Sequence, residues 1–515
     1  MQRTHSNAVA TADPRRWLVL GIVSIALLLI VVDMTVLYTA LPRLTHELGV
    51  TASEKLWIVN VYGLVVSGLL LGMGTLGDRL GHKRLFMMGL VVFGVASLAA
   101  AYSPGAASLI AARVLLAVGA AMMMPATLSI IRLTFAQERE RAVAIGIWAS
   151  VASGGAALGP VVGGVLLEHF WWGSVFLINV PIVLLALPLA WHCIPASRPA
   201  AARPAAARPW DLLGSLQVMA GLILCAYALK ELGRATTSWL HAALACTAGV
   251  TILALFVRRQ RRRPYPLIDF AIFRNATFSS GVAAALFAGA ALLGLELVFS
   301  QRLQLVLGMS PIQAALFILP LPLAAFVAGP LAGWLLAYMR GPRLMFLALA
   351  VSAAGMGAYL LCYDGAILPQ MVSLSVLGLG IGATMTAASS SIMQSATPER
   401  AGMAASIEEV SYELGGALGV TLMGSILSGV YANTLDVPPA LAAAPALGDS
   451  LRDSLDEALI VAEGLPTDLA ATLTHLAKTA FDTGYAAVIA TATVMLLATA
   501  AFVLLNRTRR QPAPG

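Results

Sequence analysis

Charge is what this sequence lacks most: only 11% of its 515 residues are Asp, Glu, Lys or Arg, against about a quarter in soluble domains. A water-solvated surface cannot be built from so little. With 59% hydrophobic residues and a mean hydropathy of +0.85, the ordinary soluble classes are excluded. Cysteine is scarce as well. Cys193, Cys225, Cys246 and Cys362 stand singly in or beside apolar segments without C-x-x-C spacing, and read as small packing residues. The lysines are Lys55, Lys83, Lys230 and Lys478, and none follows a glycine. The G-K-[ST] end of a phosphate-binding loop is therefore missing, and with it an ATP-driven pump on one chain. The absence of H-E-x-x-H removes the commonest zinc-hydrolase reading. No metal, cofactor or enzymatic chemistry is expected. A net charge of +7 would suggest nucleic acid if the basic residues shared a soluble face, but they are scattered between apolar runs and nucleic acid is excluded.

What the sequence has is long hydrophobic runs. Read against loop punctuation they give helices near 17–41, 57–77, 85–102, 107–131, 141–167, 172–193, 211–229, 238–257, 278–301, 311–338, 343–362, 368–393, 402–430 and 482–506. The expectation is an all-α multi-pass membrane protein with fourteen transmembrane helices. The first run is too apolar and too long for a signal-peptide core and should remain as an uncleaved anchor. Lysine and arginine fix the orientation. With the amino terminus inside, inner segments hold 24 basic residues and outer segments seven, Arg113 alone lying within a span. Both termini are thus expected in the cytoplasm.

Two polar stretches divide the chain. Pro195–Trp210, rich in Ala, Pro and Arg, and the basic Arg258–Pro266 read as cytoplasmic linkers. The expected organisation is a cytoplasmic N-terminus (1–16), a six-helix bundle (17–194), linkers with two inserted helices (195–266), a second six-helix bundle (267–506) and a cytoplasmic tail (507–515). The outward loop 431–478 belongs to the second bundle. It carries Asp436, Asp449, Asp453, Asp456, Glu457, Glu463 and Asp468 against Arg452 and Lys478; its helical-looking patches could pack on the outer mouth, and the stretch reads as a solvated loop or, alternatively, as a negative field that enriches cations near the opening. Two parallel six-span halves are common among secondary transporters.

An ionisable residue within a span costs roughly 2.5–3.5 kcal/mol to insert, so each one is a functional candidate. Asp33 lies ~24 Å from the cytoplasmic side and Arg113 ~9 Å below the outer surface, at ~1.5 Å per residue. Their depths are similar, and the two are expected to pair, or to alternate between pairing and protonation. The thirteenth span carries Ser406-Ile407-Glu408-Glu409-Val410-Ser411-Tyr412-Glu413. Glu409 and Glu413 share a helix face, and Glu408 a neighbouring one with Tyr412. Carboxyls crowded in a poorly hydrated cavity cannot all stay ionised, so at least one can hold a proton and release it when a cation arrives. Tyr38, Trp57, Tyr62, Trp148 and Tyr412 could offer π faces to a delocalised cation, and Glu296 is a further acid in the ninth span.

These residues carry a resemblance. Gly74-Thr-Leu-Gly-Asp-Arg-Leu-Gly-His-Lys-Arg84 resembles the loop signature of the major facilitator superfamily, which implies a conformational latch of Gly74, Asp78, Arg79, Gly81 and Arg84. The equivalent stretch Gly333 to Arg343 keeps Arg340 and Arg343 but lacks the acid. Arg113 with Gly119 is similar to the family's R-x-x-q-G motif, in which the arginine is implicated in proton transfer. Gly154, Gly159, Pro160, Gly163 and Gly164 resemble its antiporter signature, although small-residue helix packing explains the same spacing.

Asp33-Met-Thr-Val-Leu-Tyr-Thr-Ala-Leu-Pro42, Trp57-Ile-Val-Asn-Val-Tyr62, Met124-Pro-Ala-Thr-Leu-Ser-Ile-Ile-Arg132 and Glu408-Glu-Val-Ser-Tyr-Glu-Leu-Gly415 narrow it further. They are similar to the fourteen-span drug:proton antiporters of the QacA and SmvA type, over nearly the whole chain. The resemblance implies the major facilitator fold and proton-driven export of quaternary ammonium compounds, ethidium-like dyes, biguanides and viologens by alternating access. It implies no cofactor, and a monomer in the bacterial inner membrane. Asp33, Arg113, Glu408, Glu409 and Glu413 carry over as proton-coupling residues. Asp33, Glu409 and Glu413 would also meet the cation, with Tyr38, Trp57, Tyr62, Trp148, Tyr412 and Glu296 as further substrate contacts. Leu319-Pro-Leu-Pro-Leu-Ala-Ala-Phe-Val-Ala328 lacks the acid that the pattern associates with divalent drugs, so efficient handling of dications would need Glu296 to substitute. A proton-coupled exporter of a cellular metabolite on the same scaffold is the alternative.

Overall fold

The computed structural model describes residues 15–135, 137–195, 211–232, 238–264, 266–336, 338–395, 401–438, 441 and 445–508. Among them the chain is helical, without a strand. The first part contains α1 (Arg16–Leu48), α2 (Ala52–Leu80), α3 (His82–Ala101), α4 (Ala106–Thr134), α5 (Glu138–His169), α6 (Ser174–Leu177) and α7 (Asn179–Cys193). Two helices follow, α8 (Leu212–Leu232) and α9 (Trp239–Arg262). The second part contains α10 (Ala276–Gln301), α11 (Pro311–Ile318), α12 (Pro320–Leu335), α13 (Gly341–Cys362), α14 (Ile367–Gln394) and α15 (Ala401–Thr434). It ends with α16 (Pro445–Asp453), α17 (Leu455–Glu463) and α18 (Thr467–Thr508).

Among the described residues twelve helices, with α6–α7 and α11–α12 each taken as one unit, are long and apolar enough to cross a membrane. The expected fourteen would also need α2 and α5, of 29 and 32 residues. At ~1.5 Å per residue both exceed the ~30 Å hydrocarbon core.

Two expected spans are interrupted. Pro181 and Pro320 have no N–H to give to the preceding turn, and the helix breaks at Ile178 before α7 and at Leu319 before α12. The last helix departs further from expectation. It begins at Thr467, fifteen residues before position 482, and its 42 residues run ~63 Å. Its first turns therefore stand beyond the bilayer, where the Lys478 ammonium donates to the Val306 carbonyl at 3.0 Å.

Buried apolar side chains form one large cluster running from Val19 to Ile194, joined by Leu293, Leu297, Val410 and Val420, and another from Ala284 to Val503. A smaller cluster seats α8 and α9 against Leu64 of α2 and Ala417 of α15. The outward faces carry exposed Leu184, Leu185, Trp191, Trp239, Leu361 and Leu368, as lipid contact requires. Lipid gives no hydrophobic drive between helices, so close van der Waals fit holds them. A Cβ on Gly159 or Gly163 of α5 would run into Thr35 or Val36 of α1, and one on Gly415 or Gly419 of α15 would strike the α10 carbonyls of Leu286 or Ala290.

The two large clusters meet tightly at the end of the molecule opposite Arg16. There Gln304 donates to the Thr39 carbonyl at 3.2 Å, Ser310 to Glu168 at 2.8 Å and Asn60 to Thr421 at 2.7 Å. The loop 431–478 takes part in this closure. Lys55 of α2 forms a buried ion pair with Asp456 of α17, and the Ala52 N–H donates to Asp453 at 3.1 Å. Of the two readings of this loop, solvated or packed on the mouth through its helical patches, the second holds: α16 and α17 cap the bundle, because Leu451, Leu455 and Ala458 bury on the second cluster and carry the acids to Lys55.

Candidate functional site

Asp33, in mid-helix on α1, and Arg113 on α4 are 0% and 2% exposed. The Arg113 Nη1 donates to Asp33 Oδ2 at 2.8 Å, as their matched depths suggest. The guanidinium also gives its Nε–H to the Ile58 carbonyl of α2 at 3.2 Å and lies 4.5 Å from the Tyr62 ring centre. The second carboxylate oxygen accepts from Asn179 Nδ2 at 3.0 Å, and Asn179 also reaches Ser97 of α3 at 3.1 Å. Five helices thus converge on one acid. Asn179 is set there by the α6–α7 break. It is neutral, so a search for charges inside spans passes over it; a lone amide in the run Phe176-Leu-Ile-Asn-Val-Pro181 was the available signal.

Beside the pair lies a narrow chamber of about 20 Å³ between the two clusters, lined by Tyr38, Asn60, Tyr62, Arg113, Glu413 and Val420 among others. Its polar wall is under-satisfied. Glu413 Oε2, Tyr62 Oη and Asn60 Oδ1 have no hydrogen-bond partner among the described residues, although all three side chains are buried. Leaving a buried polar atom bare costs on the order of 1–3 kcal/mol, and the cost is recovered when a ligand or proton arrives.

The rest of the α15 acids are ordered along the helix. Glu409 sits one turn before Glu413, and both it and Glu408 are half-buried. Ser389 of α14 lies beside Glu408. Only Glu413 reaches the chamber wall. Glu296 of α10 is buried with Oε2 unpartnered. Tyr412 packs its ring edge and carbonyl against Gly289 of α10. Tyr38 and Tyr62 line the chamber, whereas Trp57 and Trp148 do not. Trp57 stacks on Tyr227 of α8 at 6.4 Å, and the Trp148 indole N–H donates to Thr127 at 3.2 Å.

The latch and signature glycines are placed in part. Gly81 turns the chain between α2 and α3 with φ +91°, and Arg84 is exposed. The side chains of Asp78 and Arg79 lie outside the described residues, and Gly74 has open space around it. Lys83, which the sequence reading left aside, donates to the Trp191 and Ile194 carbonyls at 2.6 Å each. Its cation thereby satisfies the bare end of α7. Gly159 and Gly163 pack on α1 and Gly164 on Ile312 of α11, Pro160 is buried within α5, and nothing approaches Gly154.

A family model described as Major Facilitator Superfamily matches residues 23–420. The chain is 39% identical to the methyl viologen resistance protein SmvA of Salmonella typhimurium, over 94% of this chain and 96% of that protein. It is 38% identical to the multidrug efflux pump LfrA of Mycolicibacterium smegmatis, over 95% and 96%. The puromycin resistance protein pur8 of Streptomyces alboniger is 33% identical, over 83% and 85%. A solved bacterial homolog of the human lysosomal transporter Spinster, inward-facing and unoccupied, superposes with a TM-score of 0.66 at 15% identity, covering 97% of this chain and all of that one. That likeness is one of fold.

Proposed function

The chain belongs to the major facilitator superfamily and is a multi-pass membrane transporter, not an enzyme, and from that premise we propose that it exports lipophilic cationic drugs in exchange for protons. The observation that carries this reading is the chamber wall. Asp33 is already matched by Arg113, while Glu413 faces the cavity with an oxygen that nothing satisfies. A buried carboxylate is tolerated only when a proton or a cation matches it. Proton and passenger therefore compete for one group, which is the condition for exchange. The unpartnered Tyr62 hydroxyl and Asn60 carbonyl add acceptors, and Tyr38 adds a π face.

The proposal extends to the arrangement in the membrane. With α2 and α5 counted, fourteen spans form two six-helix bundles with α8–α9 inserted between them. Both termini lie in the cytoplasm of a bacterium, the protein sits in the inner membrane, and the end closed by α16 and α17 faces outward. In this conformation that closure bars the chamber from the outer side, and alternating access requires it to open. A monovalent cation exchanged for one proton moves no net charge, so the pH gradient drives that exchange, and the membrane potential adds ~2.3 kcal/mol per ~100 mV only for each further proton carried inward. Relatives named for multidrug efflux and methyl viologen resistance support a drug as cargo.

Everted vesicles test this. A quaternary ammonium or ethidium-like compound should dissipate a preset pH gradient in vesicles carrying the wild-type chain, and not in those carrying Glu413→Gln. A wild type indifferent to every such cation would overturn the reading in favour of an endogenous cargo.

A further inference from the structure

The last turns of α9 carry more positive charge than the fold uses. Arg259 and Arg263 turn inward to Asp211 ahead of α8, and Arg259 also donates to Gln217 at 3.3 Å. Arg258, Arg261 and Arg262 are exposed and pair with no acid among the described residues. Asp269, the next acid along the chain, caps a turn at the Ala271 N–H instead. The same face of α9 is apolar beneath these arginines. Leu240, Leu244 and Leu255 are 68%, 60% and 48% exposed, and they recur at helical spacing with Arg258 and Arg262, on the side opposite the buried Ala245, Phe256 and Gln260. Trp239 is exposed at the other end of the helix. At ~1.5 Å per residue it stands ~28 Å from Arg258, close to the ~30 Å of a hydrocarbon core, so an interfacial aromatic and a guanidinium mark the two edges of the bilayer.

Charge selects the occupant. A second copy of this face would bring like charge, and the Pro195–Trp210 linker adds Arg198, Arg203 and Arg208 but no acid. An anion at that depth, beside a stripe that lies in hydrocarbon, is a phospholipid phosphate. Arg258 and Arg262 are one turn apart and present two planar forks to its oxygens, with Arg261 at their flank. We propose that Arg258, Arg261 and Arg262, with the apolar stripe of α9, form a site for an anionic phospholipid, its phosphate at the guanidiniums and its acyl chains along Leu255 and Leu244. The lipid anchors more than α9. Its partner α8 packs on Leu64 and Gly68 of α2 and on Ala417 of α15, and so touches both large bundles. Trp57 of α2 stacks on Tyr227 near the end of α8, away from the arginines. Lipid at one end and this stack at the other thus fix a strap laid across both bundles.

The test titrates the full chain, purified and delipidated in a neutral detergent, with phosphatidylglycerol or phosphatidylcholine, and counts retained lipids by native mass spectrometry. The wild type should hold phosphatidylglycerol at concentrations where phosphatidylcholine is lost; equal retention overturns the proposal. Replacing all three residues, Arg258→Gln, Arg261→Gln and Arg262→Gln, should lower the affinity for phosphatidylglycerol roughly a hundredfold, at about fivefold per arginine near a lipid surface. Arg340→Gln with Arg343→Gln, which removes exposed arginines at the start of α13, should leave it unchanged. An equal loss in both variants would mean diffuse charge rather than a site. Inorganic phosphate should not displace the lipid at matched concentration, and displacement would show that the acyl stripe contributes nothing. Phosphatidylglycerol should also raise the unfolding temperature of the wild type and not of the triple variant; an equal rise in both overturns the anchor. Should the triple variant insert wrongly, Arg262→Gln alone decides: about a fivefold loss is expected, and undiminished binding overturns the assignment.

Discussion

The Asp33 carboxylate and the Arg113 guanidinium are 2.8 Å apart and out of solvent, with the Arg113 Nε–H on the Ile58 carbonyl and the second Asp33 oxygen accepting from Asn179. Removing one member of such a pair leaves a buried charge with nothing to match it, at a cost of about 3–5 kcal/mol. Asp33→Asn should therefore lower the thermal stability of the purified protein. Adding Arg113→Leu to that variant should restore a large part of it, while transport stays absent in both. Equal stability of Asp33→Asn and the wild type would mean that the pair carries no weight in the fold.

The capping helices make a second ion pair decisive. Lys55 and Asp456 are 4% and 5% exposed and bridge α2 to α17, and Gln301 of α10 accepts from the same ammonium at 3.4 Å. Asp456→Asn should loosen the closed end and populate conformations open on that side. A cysteine placed at Asn60, in the chamber wall, would then react severalfold faster with a membrane-impermeant thiol reagent added from outside, against an otherwise cysteine-free background. No change in that rate would show that the cap does not hold the end shut.

The sequence made the spans legible because lipid forces long apolar runs, and it made Asp33, Arg113 and Glu413 legible because charge inside such runs is rare. Asn179 and Ser97 were not, being neutral and ordinary at any single position; their role exists only where α3 and α7 bring them to Asp33. Trp57 and Trp148 looked equivalent to Tyr38 and Tyr62, since residue type does not say which face of a helix meets a cavity. That helical patches of the outer loop could pack on the mouth was legible, but their grip on α2 was not, because nothing in the sequence joins Asp456 to a buried lysine 401 positions away.

Small residues between α1 and α5 make a graded prediction. A methyl at Gly159 would collide with the Thr35 side chain, whereas one at Gly154 would meet nothing within 4 Å. Overpacking a closed interface costs typically 1–3 kcal/mol. Gly159→Ala should thus lower the unfolding temperature and slow transport, and Gly154→Ala should change neither. If the two variants behave alike, the signature glycines are not acting through this contact.

Asp211, just ahead of α8, ties the inserted pair together. Its carboxylate accepts from the Gly214 N–H at 3.0 Å and from Gln260 of α9 at 2.8 Å, and pairs with Arg259 and Arg263 at 2.7 and 3.2 Å. Burial alone would raise its pKa. The Gln260 and Gly214 hydrogen bonds and the two guanidiniums outweigh burial and hold it below the ordinary value of 3.8. A carboxyl lowered in the folded state stabilises that state at every pH above its unfolded value, and the contribution is lost as pH falls through the folded one. Amide protection of α8 and α9, followed by hydrogen exchange in detergent, should therefore be greater in the wild type than in Asp211→Asn at neutral pH. The gap should hold down to about the ordinary aspartate value and close below it. A gap that widened on acidification would mean that the carboxylate does not work through these cations.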